Sequence, residues 1–133
     1  STSDHVNAFW DLMPTLLDAA GAVLPNDIDG KSFLPTLVGE PDGQLQHEAL
    51  YWEHARRHQA VRMGDWKLVA NARFRKQEWE LYNLKTDRTE RVNLINQRAD
   101  KAQELKSMWE AWAKRANVLP KPPKKSKKNK NKE

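Results

Sequence analysis

The chain has 133 residues, with 23 Lys and Arg against 18 Asp and Glu, a formal charge of +5, 38% hydrophobic residues and no cysteine. That length fits one modest domain and not two full ones. The missing cysteines exclude a disulfide scaffold, a thiolate zinc site and a cysteine nucleophile.

The charge is unevenly placed. Residues 121–133 carry seven Lys and one Glu, which leaves 16 basic and 17 acidic residues on residues 1–120. A folded nucleic-acid surface would concentrate its cations on the body, so nucleic acid is not the expected partner, and any polyanion contact falls to the tail. No apolar run approaches the roughly 20 residues that cross a bilayer, so no membrane contact is expected. Ser1-Thr2-Ser3-Asp4-His5 has neither the basic start nor the apolar stretch of a signal peptide. The first residue is not Met, which suggests a piece of something longer.

Asp11-Leu12-Met13-Pro14 reads as a helix start, with Asp as cap and Pro in the first turn, where its missing N–H has no intrahelical partner. Leu12, Leu16, Leu17 and Ala20 recur at helical spacing and Gly21 is the stop, so residues 1–21 form a helical segment. Residues 22–47 hold Pro25, Pro35 and Pro41 with Gly30, Gly39 and Gly43 and read as a connector, with a turn at Pro41-Asp42-Gly43 and with Phe33, Leu34, Leu37 and Val38 pinning it to a neighbouring surface. From residue 48 apolar positions alternate, which predicts four antiparallel strands near 49–54, 58–63, 66–71 and 79–83. Met63-Gly64-Asp65-Trp66 is a tight hairpin, and Leu84 to Thr89 leaves the sheet as a polar turn. Asn96 caps a last helix to about Ala116, whose stripe of Ala102, Leu105, Trp109, Trp112, Ala113 and Ala116 needs the sheet to cover it. The fold class is therefore α+β, a small four-stranded antiparallel sheet packed on a C-terminal helix, across residues 48–119. The lysine-rich residues 120–133 cannot bury enough apolar surface to order themselves and are expected to be disordered.

Few residues carry independent chemistry. His54 and His58 are four apart at the edge of a strand pair, where that spacing lacks its helical meaning, and no third metal ligand lies nearby. Asn26 to Gly30 fails as a calcium loop, since Pro25 and Thr36 stand where acidic ligands belong. No serine has a glycine-flanked turn or a base at hand, and no glycine-rich phosphate loop is present. Glu53 and Glu80 fit solvated sheet carboxylates or partners of Arg62 and Lys67 better than a catalytic pair. The six tryptophans fit core positions better than sugar or base stacking. Trp52-Glu53-His54-Ala55-Arg56-Arg57-His58 stands out, because two Arg and two His leaving a strand can present donors to an anionic group.

Four segments taken together resemble the C-terminal part of the arylsulfatase-type, formylglycine-dependent sulfatases of bacteria. They are Ser3-Asp4-His5 through Phe9-Trp10-Asp11-Leu12-Met13-Pro14-Thr15; Asp29-Gly30-Lys31-Ser32-Phe33-Leu34-Pro35; Tyr51-Trp52-Glu53-His54 with Ala60-Val61-Arg62-Met63-Gly64-Asp65-Trp66-Lys67-Leu68-Val69; and Trp79-Glu80-Leu81-Tyr82-Asn83-Leu84 with Asp87-Arg88-Thr89-Glu90. The resemblance implies a C-terminal subdomain attached to an α/β catalytic domain that would precede Ser1, with residues 1–21 as the edge of that domain and Phe9, Trp10, Leu12 and Leu16 left exposed. It also implies a parent that hydrolyses sulfate esters with calcium and formylglycine and is exported to a periplasm or beyond. The family's nucleophile arises from a Cys/Ser-x-Pro-x-Arg motif that this chain lacks, so no catalytic residue, no metal ligand and no activity are expected here. Because the family's C-terminal sheet abuts the active-site cleft, Glu53, His54, Arg56 and Arg57 become candidate contacts to a sulfated substrate. The rival expectation is an interaction module whose lysine tail binds a polyanion.

Overall fold

A computed structural model describes residues 2–55, 57–71 and 78–119, so Arg56 and the lysine-rich tail lie outside the described residues. The chain divides into two compact units, Ser1–Leu50 and Tyr51–Glu133. Its elements are α1 (Leu12–Ala19), α2 (Leu34–Val38), β1 (Leu50–His54), β2 (His58–Met63), β3 (Trp66–Asn71), β4 (Glu78–Asn83) and α3 (Ala99–Arg115).

In the first unit, Asp11 stands at the start of α1 but its carboxylate does not cap that helix. It turns outward to accept the Ala8 N–H at 2.7 Å, the Lys31 N–H at 2.8 Å and His47 Nε2 at 2.9 Å. The side chain is 1% exposed. Burial alone pushes its carboxyl upward, but the Lys31 and Ala8 N–H groups, with His47 behind them, outweigh that and hold it below the ordinary carboxylate range. Thr15 Oγ1 donates to the Asp11 carbonyl and accepts the Phe33 N–H, so residues 8, 31, 33 and 47 are all tied to one turn of chain. Gly30 is required there, since a Cβ at that position would stand 2.4 Å from the Trp10 carbonyl oxygen.

The connector contains α2, which its prolines hid, and the Pro41–Gly43 turn is one of 3-10 helix. Leu37 and Val38 are exposed rather than pinned, while Phe33 and Leu34 are half-buried. As the resemblance implied, Phe9 and Leu16 are 85% and 70% exposed, with Trp10 and Leu12 partly so.

The second unit is a meander of strand order β1-β2-β3-β4. Val61 pairs with Leu68 and Leu68 with Leu81, which sets three fully buried side chains in one row. Met63 pairs with Trp66 across a turn in which Gly64 takes φ +55°, the left-handed conformation that glycine enters without steric cost. Ala102, Leu105, Trp109 and Ala113 form the buried stripe of α3, and the Trp109 ring meets Trp79 edge-on at 6.1 Å. Burying side chains of this size contributes about 1.5–3 kcal/mol each. Two details differ from the sequence reading. The helix starts after Arg98, with no side-chain cap from Asn96 or any other residue, and Ala116 lies beyond its end, exposed.

The polar turn after β4 is built on Asp87, whose carboxylate accepts the N–H groups of Val92 and Arg91 and is held below its ordinary range by them, Val92 first. At Leu81, in the middle of β4, the chain itself engages the strand's outer backbone groups: the Leu94 N–H donates to the Leu81 carbonyl at 2.8 Å, and the Leu81 N–H donates to Asn93 Oδ1 at 3.1 Å.

Candidate functional site

The β1–β2 hairpin carries every candidate contact residue. Its turn closes through the Arg57 N–H donating to the His54 carbonyl at 3.1 Å, with Ala55 at φ +52°. Side chains along a strand alternate between faces, and the contacts of α3 say which face is which. Tyr51 stacks on Trp112 of α3, centroids 5.2 Å apart and planes 4° from parallel. Tyr51 and Glu53 therefore share the helix side of β1, and Trp52 and His54 share the opposite side. Trp109 adds a hydrogen bond from its indole N–H to the Trp52 carbonyl at 3.1 Å, which fixes the strand without using the Trp52 side chain.

Across the turn, Gln59 pairs through Ala70 with Trp79, which places it on the helix side and His58 on the other. The rings of His54 and His58 lie 6.0 Å apart at 27°. The hairpin thus does what a helix would have done with that spacing, and the sequence reading missed it. Of the four predicted contacts, Glu53 is half-buried on the helix side, His54 and Arg57 are exposed, and Arg56 lies outside the described residues. Glu53 and His54 are not brought together.

The two cations suggested as partners of Glu53 and Glu80 have contacts of their own. Lys67 bonds Glu90 at 2.5 Å, and Arg62 Nε donates to the Gly64 carbonyl at 3.1 Å. Glu80 instead bears on Tyr82, whose hydroxyl is raised to about 12, first by burial and then by that carboxylate. The tryptophans divide as well: Trp109 is core, whereas Trp10 and Trp52 are each 40% exposed. The Asp11–His47 pair, also missed, is a clamp in which each carboxylate oxygen has a donor. Among the described residues no group of three His, Asp or Glu could hold a metal. No helix among the described residues is long and apolar enough to cross a membrane.

The profile of the family described as "N-sulphoglucosamine sulphohydrolase, C-terminal" matches residues 1–117. The chain belongs to this family of sulfatase C-terminal segments. An N-acetylglucosamine-6-O-sulfatase of Bacteroides thetaiotaomicron is 36% identical over 98 residues, 65% of this chain and 17% of that protein. A structure described as being in complex with its substrate D-glucosamine-2-N,6-O-disulfate superposes with a TM-score of 0.60 at 30% identity, covering 83% of this chain and 24% of its own. The structure of Ps i-CgsB superposes with a TM-score of 0.67 at 20% identity, over 88% of this chain and 30% of its own, and shows the shared fold. The sulfatase C-terminal segment thus spans between a sixth and a third of the length of these relatives.

Proposed function

We propose that the chain is the C-terminal part of a sulfatase that hydrolyses sulfate esters of carbohydrates, and that it supports an N-terminal catalytic domain while being inactive alone. The match to the family over residues 1–117 carries this reading. The small share of each relative that the chain covers supports a reading in which the remainder of the machinery lies outside it. Sulfated amino sugars are the substrate class suggested by the relatives' descriptions. Calcium and formylglycine would belong to that catalytic domain, and export of the whole protein is part of the same reading.

The apolar surface of Phe9, Leu12, Met13 and Leu16 suits burial against such a domain, because contiguous exposed apolar patches on a monomer mark contacts. The test is a longer protein carrying this segment, assayed for sulfate release from D-glucosamine 6-sulfate with and without residues 1–133. Turnover that requires the segment, with none from the segment alone, is the expected result. Equal turnover without it, or no turnover by the longer protein, overturns the reading.

A second reading rests on the segregated charge of residues 121–133. Under it, the tail binds a polyanion with an affinity that falls steeply with salt and disappears when those residues are deleted.

A further inference from the structure

The first unit, residues 1–50, holds eight Asp and Glu against a single Lys or Arg, Lys31. That one cation and two imidazoles converge on one short stretch of chain, residues 46 and 47. Lys31 Nζ donates to the Gln46 carbonyl at 2.6 Å, and the Gln46 side-chain amide donates to His5 Nδ1 at 3.0 Å. His47 Nε2 lies 2.9 and 3.0 Å from the two oxygens of Asp11. An ionised carboxylate only accepts, so His47 Nε2 carries a hydrogen, and a second proton on that ring goes to Nδ1. The bond to Asp11 therefore survives in both charge states, and what the proton changes is the charge that faces the carboxylate. Two features make that charge count. The His47 and Asp11 side chains are 10% and 1% exposed, and a pair so placed is screened less than one at the surface. The unit around it is also strongly acidic, so a positive imidazole relieves repulsion within it.

We infer that His47 and Asp11 form a proton-operated latch on the first unit: the imidazolium draws residues 46 and 47 onto the turn that Asp11 organises, and the neutral ring holds them less tightly. A charge-assisted hydrogen bond is about twice as strong as a neutral one, and imidazole is the side chain that ordinarily changes charge between about pH 5 and 8. The latch loosens as the ring loses its proton, so it opens on rising pH, whereas protonation of the Asp11 carboxyl would open it on falling pH. Among the described residues, the charged and titratable groups brought to this stretch are Asp11, Lys31 and His5, with the exposed Glu48 next in the chain. Lys31 meets a carbonyl there. His5 accepts the Gln46 amide through Nδ1, a bond that needs that nitrogen unprotonated, so a proton on His5 acts in the opposite sense.

The test is amide hydrogen exchange of the chain by NMR from about pH 5 to 8, the imidazole range. It is read as protection factors at Ala8 and Lys31, whose N–H groups bond Asp11, beside the titration of the His47 ring signal. Protection at both amides should fall about fivefold as the ring loses its proton, the difference between a charge-assisted and a neutral hydrogen bond, and should follow that ring's own curve. His47→Gln keeps an N–H donor without a titrating proton and should hold protection level across the range. His5→Gln should leave the fall in place. Protection that stays level through the His47 titration of the unaltered chain overturns the inference, whether or not either variant folds. The same fall in His47→Gln overturns it too, as does loss of the fall in His5→Gln, which would assign the effect to His5.

Discussion

Asp11 shows how one side chain can organise a segment. Its carboxyl is lower in the folded than in the unfolded chain, so its contribution to stability is present above about pH 3.9, the unfolded value, and fades as pH falls through the folded one. Acid unfolding of the first unit, followed by the His47 ring signal, should therefore begin below about pH 4. Asp11→Asn leaves the Lys31, Ala8 and His47 donors with poorer acceptors and should cost about 1–3 kcal/mol, read from urea midpoints. Tyr82 runs the other way. Raised to about 12, it keeps its contribution below the unfolded value of about 10 and loses it as pH rises from there towards 12. Tyr82→Phe should flatten that alkaline decline in a stability-versus-pH series. At Gly30 the constraint is steric, and Gly30→Ala should destabilise the first unit by forcing the Trp10 carbonyl aside.

At the scale of elements, the sheet was legible because the period of two that put Val61, Leu68 and Leu81 in one register also predicted their burial. The helix stripe was legible for the matching reason at a period of 3.6. What failed was chemistry at element ends. Asn96 and Asp11 both carry good caps, yet Asn96 is left two residues short of the helix and the Asp11 carboxylate finds better donors elsewhere. The five-residue α2 carries too little periodicity to rise above its flanking prolines and glycines. The candidate site was half legible: the hairpin and its donors could be read, but grouping Glu53 with His54 ignored the alternation that predicted the strand. His58 was set aside as a metal ligand for want of a third ligand and of helical spacing, and its approach to His54 across the turn was not read. Since α3 seats its buried stripe on the sheet, Leu105→Ala should cost about 2–5 kcal/mol, measured by denaturant unfolding followed through tryptophan fluorescence.

Across the whole molecule, chemistry and bulk are segregated. The first unit has an exposed apolar surface at Phe9, Leu12, Met13 and Leu16, and the chain's excess positive charge sits beyond residue 120. A chain with that surface uncovered should bind a hydrophobic dye and self-associate with concentration. Phe9→Ser with Leu16→Ser should reduce both in dye titration and sedimentation, with little loss of fold because both positions are exposed.

The hydrogen bonds of residues 93 and 94 to Leu81 give the sheet a direction of vulnerability. An edge strand with free backbone groups is a template on which a second chain can add, and fibrils grow by that addition. Here the backbone groups of Leu81, in the middle of β4, are already engaged by its own chain, so a second strand could pair with β4 there only by displacing residues 93 and 94. The residue pair 93–94 thereby acts as a built-in guard against polymerisation at the centre of that strand.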